Sequence, residues 1–144
     1  MTDAADGALR GLQEALESRA EILEAYLFGS RGRGEPHPLS DYDVAVYLDP
    51  TLEPASSFEY QAALAADLMR ALGTSRVDVV VLNRATPLLY HRVLRDGRRL
   101  MSRDIRATTA REGRALSRYC DFVPQLAKIE RALSARIARG EFGR

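Results

Sequence analysis

The spacing of apolar residues along the chain predicts an alternation of helices and strands. Apolar side chains near the helical period of about 3.6 residues predict a helix over residues 7–23: Leu9, Leu12, Leu16 and Ile22. Apolar runs, continuous or alternating with polar residues, predict three strands and a further short edge strand, over residues 25–28, 42–48, 76–82 and 97–101. Helices are predicted between and after them, over residues 30–33, 58–72, 87–96 and 103–139. This order favours an α/β fold, with a small mixed sheet flanked by helices and a C-terminal helical segment.

Residues that favour helix ends mark several of these boundaries. Ser56 or Ser57 is suited to cap the helix over residues 58–72, and Thr86 to cap the helix that follows it. In the last helical segment, Pro124 lacks an amide hydrogen and is expected to kink or divide the helix, with Asp121 as a cap for the second half.

Two of the predicted strands carry acids in unusual positions. Asp41 and Asp43 share one face of the second predicted strand with Tyr47, and the opposite face is the apolar core face. The strand over residues 76–82 is apolar on both faces except at Asp78, which predicts a central strand with one buried acid. If the two strands are neighbours, three carboxylates converge at one place.

The composition fits one domain of ordinary size. The chain has 144 residues, divided here into an α/β core over residues 1–101 and a helical extension over residues 102–140. No apolar run approaches the roughly 18 residues of a membrane-spanning helix, and the acidic start of the chain is not typical of a signal peptide. Cys120 is the lone cysteine, which excludes an internal disulfide and favours a reducing cytoplasm with the thiol as a small buried apolar group.

Charge is distributed unevenly along the chain. Residues 1–83 hold six Arg and fourteen Asp or Glu, a balance of −8, whereas residues 84–144 hold fifteen Lys or Arg and six Asp or Glu, a balance of +9. All but one of those fifteen are arginine, whose guanidinium suits phosphates and the carboxylates of a protein partner. The alternative is an ordinary solvated surface with internal charge pairing.

The segment from Gly29 to Asp43 carries the chemistry. Two neighbouring carboxylates, Asp41 and Asp43, repel each other unless a cation lies between them, and hard oxygen ligands favour magnesium. The turn at Gly29 and Ser30 offers a closely approaching backbone, N–H groups and a hydroxyl, which suit a triphosphate. With Asp78 as the third acid, these groups predict nucleotidyl transfer with two metal ions, in which Asp78 accepts or orients the proton of the incoming hydroxyl.

This combination of motifs resembles the nucleotidyltransferase superfamily with the polymerase-β palm. Within that superfamily the chain is similar to the minimal nucleotidyltransferases, the MntA-like antitoxins usually encoded beside a HEPN-type ribonuclease toxin. The resemblance covers nearly the whole chain, including a tail over residues 119–124 that looks like the C-terminal helix of that group. It implies a palm-like fold and the transfer of AMP from ATP, with Mg²⁺, to a tyrosine of the toxin, which is thereby silenced. It also implies a hetero-oligomer with the toxin.

The resemblance carries specific roles onto this sequence. It implies that Gly29 permits the tight turn and that Ser30 hydrogen-bonds the β- or γ-phosphate of ATP. Asp41 and Asp43 would bind the magnesium ions, with Asp43 bridging them, and Asp78 would complete the metal site.

Three further residues are assigned to nucleotide binding on weaker grounds. Arg31 and Arg33 lie in the turn, within reach of phosphates, although nothing in the sequence fixes their direction. Ser40 is placed to cap or orient the Asp41 carboxylate.

Two other functions stay open from the sequence alone. A small-molecule nucleotidyltransferase of the aminoglycoside-modifying kind would share the metal triad and differ in its acceptor. A non-catalytic antitoxin would neutralise its partner by covering it. Direct nucleic-acid binding is not expected, because no aromatic-rich groove or recognised motif accompanies the basic half of the chain.

Overall fold

The computed structural model describes residues 2–34 and 41–140, with side chains from residue 6 onward. In chain order its elements are α1 (Thr2–Glu17), β1 (Ile22–Phe28), α2 (Gly29–Gly32), β2 (Tyr42–Leu48), α3 (Ser57–Leu72), β3 (Val77–Val81), α4 (Pro87–Asp96), β4 (Arg98–Ser102) and α5 (Ile105–Ala138). A short 3-10 turn, Leu82–Arg84, joins β3 to α4. The predicted alternation of helices and strands is confirmed.

The four strands form one mixed sheet in the order β3-β2-β1-β4. Strand β1 is antiparallel to both β2 and β4, whereas β2 and β3 run parallel. Helices cover both faces of the sheet, which confirms the predicted fold class. In the described part of the chain, no helix combines the length and the apolar character that crossing a membrane requires.

The two faces of the sheet bury different sets of residues. On one face α1 and α3 enclose the larger core, which includes Leu12, Leu16, Val44, Val46, Leu64 and Leu68. On the other face α4 and the first part of α5 cover a smaller cluster of Tyr26, Phe28, Ala45, Leu82, Tyr90, Val93 and Ala115. Strict alternation along β2 places Asp43 on this second face, beside Ala45.

The predicted helix over residues 7–23 is too long at its C-terminal end. Helix α1 ends at Glu17, and a turn closed by the bond from the Arg19 amide to the Leu16 carbonyl leads into β1. Ile22 is fully buried as the first residue of that strand. Its apolar side chain fits the helical spacing, but it packs in the core as a residue of the sheet.

The prediction that β3 is a central strand with a buried acid is wrong. Strand β3 lies at the edge of the sheet, and Asp78 is exposed. The run of valines is explained by packing on both faces: Val77, Val79 and Val81 belong to the core on the side of α3, and Val80 packs against the cluster on the other side. The predicted neighbourhood of β2 and β3 is confirmed.

Helix α5 runs unbroken through Pro124, so the expected division of this segment is wrong. Asp104 caps its start by accepting bonds from the amides of Arg106 and Ala107, whereas Asp121 is an exposed residue within the helix. Because the helix is largely exposed around Pro124, the carbonyl that loses its partner there is open to water. Cys120 is also exposed, which corrects the expectation of a buried thiol.

The first part of α5 is fixed to the sheet by a buried ion pair. The Arg111 guanidinium donates two bonds of 2.6 Å to the carboxylate of Glu24 on β1, which also accepts a 2.9 Å bond from the Thr108 hydroxyl. Nearby, Tyr26 donates a 2.6 Å bond to Glu112. These contacts hold α5 across the face of the sheet on which Asp43 lies.

Candidate functional site

The sheet register places the principal motif residues in a row across three strands. Phe28, the last residue of β1, pairs with Asp43 on β2, and Asp43 pairs with Asp78 on β3. Gly29 follows Phe28 directly and opens α2. Parallel strands in register carry equivalent side chains on the same face, so Asp43 and Asp78 are neighbours. Strand pairing therefore brings together two of the three predicted acids, Asp43 and Asp78.

Asp43 has the electrostatic environment of a cation ligand. It is half-buried at the start of β2. Burial, together with the negative charges of Asp78 and Asp41, raises the pKa of its carboxyl above the ordinary value. A cation placed between these carboxylates would remove the repulsion that raises this pKa.

Gly29 is required where it stands. Its φ of +70° lies in the left-handed region that side chains disfavour, and a Cβ added there would collide with the carboxylate oxygen of Asp43. The turn therefore brings backbone directly against the acid. The first amides of a helix have no intrahelical acceptor, so the start of α2 offers N–H donors at this place. Ser30, the next residue, is partly exposed.

Asp41 is paired with a residue that the sequence analysis missed. The Arg76 guanidinium lies 3.8 Å from an Asp41 carboxylate oxygen, and both side chains are about half exposed, at 51% and 52%. The signal in the sequence was a basic residue two positions before Asp78, at the start of the strand that lies beside β2. Arg76 thus offsets part of the negative charge at the edge of the acidic group.

The structure does not bring Arg31 and Arg33 to the three acids. The Arg31 guanidinium lies 4.0 Å from the ring centroid of Tyr42, a residue on the opposite face of β2 from Asp43. Arg33 forms a 3.5 Å ion pair with Asp96 at the end of α4. Their role in phosphate binding stays a prediction. Ser40 lies outside the described residues.

The residues present fit a metal that is bound together with a nucleotide. Among the described residues, no three His, Cys, Asp or Glu side chains form a cage that holds a cation by itself. Mg²⁺ commonly keeps several waters and binds through one or two carboxylates plus the phosphates of a substrate. Adjacent carboxylates at Asp43 and Asp78, beside a turn that suits phosphates, supply the protein part of such a site.

Comparison with known proteins gives a family for this arrangement. Residues 11–106 match the family described as Polymerase beta, Nucleotidyltransferase, and this span contains Gly29, Asp43 and Asp78. A curated relative, the protein adenylyltransferase MntA of Shewanella oneidensis, is 37% identical over 75 residues. The matched stretch spans 52% of this chain and 50% of that relative, about half the length of each.

Solved structures share the fold at lower identity. A crystal structure described as a toxin–antitoxin with AMP-PNP has a TM-score of 0.73 at 24% identity, covering 87% of this chain and 98% of that chain. A structure of the tri-AMPylated Shewanella oneidensis HEPN toxin in complex with the MNT antitoxin has a TM-score of 0.67 at 22% identity, covering 88% and 96%. At these identities the likeness shows the fold alone.

Proposed function

The chain belongs to the polymerase β-type nucleotidyltransferase family, and from this premise we propose that it is an adenylylating antitoxin. In this proposal it transfers AMP from ATP to a tyrosine hydroxyl of a HEPN-type ribonuclease toxin and so neutralises that toxin. The transfer depends on Mg²⁺, with two ions held at the acids. The protein acts in the cytoplasm, where both ATP and such a toxin are present.

The observation that carries the proposal is the row formed by Gly29, directly after β1, Asp43 on β2 and Asp78 on β3. A turn that suits phosphates lies there beside two carboxylates, and this combination supports nucleotidyl transfer. The curated relative is a protein adenylyltransferase, which supports a protein as the acceptor. The solved structures that share the fold include a toxin–antitoxin with AMP-PNP and an AMPylated HEPN toxin with its antitoxin.

Each motif residue has a distinct task in the proposed reaction. The turn at Gly29 and Ser30 binds the β- and γ-phosphates through backbone N–H groups and the Ser30 hydroxyl. Asp41, Asp43 and Asp78 hold the metal ions, which when bound neutralise the charge of the triphosphate. Asp78, the most exposed of the strand acids, faces the incoming hydroxyl and accepts its proton.

The second half of α5 offers a surface for the toxin. Ile129, Leu133 and Ile137 recur every four residues on one side of this helix and are 51%, 50% and 58% exposed. These side chains are therefore not buried in the core of this chain. Exposed apolar side chains in a continuous row indicate an interaction site, and such a row suits a helical partner, which the HEPN family supplies.

The test is a transfer assay with the HEPN protein encoded beside this chain. The protein is mixed with ATP labelled at the α-phosphate, Mg²⁺ and that partner, and the partner is then analysed by mass spectrometry. We expect one or more AMP masses on a tyrosine of the partner, and none with the Asp41→Ala/Asp43→Ala double variant. Inhibition of the partner without any added mass would instead identify a steric antitoxin. Neither binding nor transfer would direct attention to small hydroxylated acceptors.

A further inference from the structure

The outer edge of β3 is an open set of backbone hydrogen-bonding groups beside the catalytic acids. Among the strands of the described residues, β3 pairs with β2 alone and ends the sheet. The Tyr42 amide donates a 2.8 Å bond to the Arg76 carbonyl, which fixes the phase of the parallel ladder. In such a ladder alternate residues direct their N–H and C=O groups to the same neighbour. Asp78 and Val80 therefore bond toward β2, and the backbone groups of Val77, Val79 and Val81 face outward.

A groove runs along this edge at the level of Asp78. Its volume is about 200 Å³, and it is lined by α3 and by β3: Phe58, Gln61, Ala62, Ala65, Val77, Asp78 and Val79. The side chains of Ala62 and Ala65 are small and leave space between the helix and the strand unfilled. Phe58 lies at one end of the groove and is 79% exposed, although contact with water is unfavourable for a large apolar ring. The groove thus combines an open strand with an unburied aromatic side chain.

The other edge of the sheet is protected in a way that β3 is not. Strand β4 carries two exposed arginines at its start, Arg98 and Arg99, and charged residues are a common means of preventing unwanted strand pairing. Strand β3 consists of four valines and Asp78. Because Asp78 belongs to the proposed site, its charge serves the reaction, and the remaining edge is available to another strand.

The order of groups across the sheet assigns the two substrates to opposite sides. From β1 to β3 the row runs Gly29, Asp43, Asp78 and then the open edge. In an in-line displacement the attacking and leaving oxygens lie on opposite sides of the phosphorus atom. The triphosphate is bound on the Gly29 side, so its pyrophosphate leaves toward β1. The hydroxyl must then approach from the side of β3.

We propose that the acceptor segment of the protein substrate binds as an additional β-strand along the outer edge of β3, with its hydroxyl residue beside Asp78. This inference rests on the proposed function. An added strand lies about 4.8 Å from its neighbour, so a side chain on the same face reaches the carboxylate of Asp78. The five residues of β3 offer about 16 Å of edge, enough for a short extended segment, whose apolar side chains pack against Phe58.

The reaction at this position balances without any further reagent. The acceptor oxygen forms a bond to the α-phosphorus of ATP, and the bond from that phosphorus to the bridging oxygen of the β-phosphate breaks. Pyrophosphate leaves with the electron pair, and the hydroxyl proton passes to Asp78. The products are the adenylylated acceptor and pyrophosphate.

Amide hydrogen exchange by NMR tests the proposal on the unmodified protein. The protein is measured alone and with its HEPN partner and α,β-methylene-ATP, an analogue that cannot transfer AMP. We expect exchange at the Val79 and Val81 amides to slow by at least about tenfold in the complex, because those amides gain acceptors. The Val80 amide, already bonded to β2, serves as the internal reference. Binding of the partner without slower exchange at Val79 and Val81 would overturn the proposal.

A variant pair provides the second test. Proline is tolerated on an edge strand where its missing N–H faces outward, so Val79→Pro removes one edge donor, and Val79→Thr keeps it. We expect kcat/KM for the protein acceptor to fall at least about tenfold in Val79→Pro and to stay within about threefold in Val79→Thr. Thermal melting and ATP-analogue binding report whether the proline variant is folded.

The two tests separate this inference from the proposed function. Transfer of AMP that is equally efficient in Val79→Pro and in the unmodified protein overturns the added strand and leaves the proposed function standing. Absence of transfer from the unmodified protein overturns the proposed function, and the added strand with it.

Discussion

Two acids on the same face of the sheet, Glu24 and Asp43, are treated in opposite ways by the fold. Glu24 is fully buried and accepts three bonds, two from the Arg111 guanidinium and one from the Thr108 hydroxyl. Asp43 is half-buried beside two other carboxylates, and burial together with the charges of those carboxylates raises its pKa. One acid has its charge balanced within the chain, and the other has like charges for neighbours.

The difference distinguishes an acid that stabilises the fold from an acid that is suited to bind a ligand. A buried charge is tolerated only when its partners are present in the folded chain, and removal of one partner is strongly destabilising. An acid left among like charges is unfavourable by itself, and such arrangements cluster at functional sites because a ligand supplies the missing charge. By this reasoning Glu24 fixes α5 to the sheet, whereas Asp43 fits the proposed role of binding metal together with nucleotide.

The same chemical change at the two positions gives the largest expected contrast. Asp43→Asn removes the charge that is proposed to bind metal and is expected to lower kcat for AMP transfer at least about 1000-fold, a loss of about 4 kcal/mol of transition-state stabilisation. Glu24→Gln lies away from the reacting groups and is expected to keep kcat within about threefold per folded molecule. Transfer assays under saturating ATP and Mg²⁺, normalised to the folded fraction, measure both values.

Glu14→Gln, on the exposed side of α1, is the matched control for loss of one surface carboxylate. Comparable losses of kcat in Glu24→Gln and Asp43→Asn would show that the distinction between the two acids is mistaken.

The motif and the neighbourhood of its strands were accessible from the sequence. The Gly29–Ser30 pair, the alternation of Asp41 and Asp43 and the valine run around Asp78 are local patterns, and local patterns report turn chemistry and strand faces directly. They predicted that the acids converge, and the register of β2 with β3 places Asp43 beside Asp78.

What the sequence did not reveal depends on contacts between distant residues. The position of β3 at the sheet edge could not be read from its valines, because a helix on one face buries an edge strand almost as well as a second neighbour does. The pairing of Glu24 with Arg111 joins residues 87 positions apart, and neither lies in a recognisable motif. The exposure of the apolar repeat of α5 could not be predicted either, because periodicity identifies a face of a helix without showing what covers it.

The second prediction concerns stability and the buried pair. Arg111→Ala leaves the Glu24 carboxylate buried with the Thr108 hydroxyl as its remaining donor, and we expect a loss of about 3–5 kcal/mol in the free energy of unfolding. Urea denaturation followed by circular dichroism measures this loss. The double variant Glu24→Leu/Arg111→Met replaces both charges by apolar groups and is expected to recover most of the stability. If Arg111→Ala unfolds at the same urea concentration as the unmodified protein, Glu24 is not held in the way described.

The third and smallest expected effect is that the two amide variants change the free energy of unfolding in opposite directions. Glu24→Gln should destabilise the protein, since Arg111 loses its counter-charge. Asp43→Asn should stabilise it slightly, on the order of 0.5 kcal/mol, because the repulsion from Asp41 and Asp78 is relieved and solvent screens much of it.

The pH dependence gives this small effect a second, independent signature. The pKa of Asp43 is raised in the folded state, so its charged form opposes folding at neutral pH. As the pH falls through the pKa of the folded state, Asp43 is protonated in the folded protein before it is protonated in the unfolded chain, and the unfavourable contribution to folding declines. This contribution is absent below the ordinary pKa of 3.8. The stability gained by Asp43→Asn should therefore be full at pH 7 and shrink toward pH 4 in thermal melts without metal or nucleotide. A gain that is constant over this range would mean that it does not arise from the charge of Asp43.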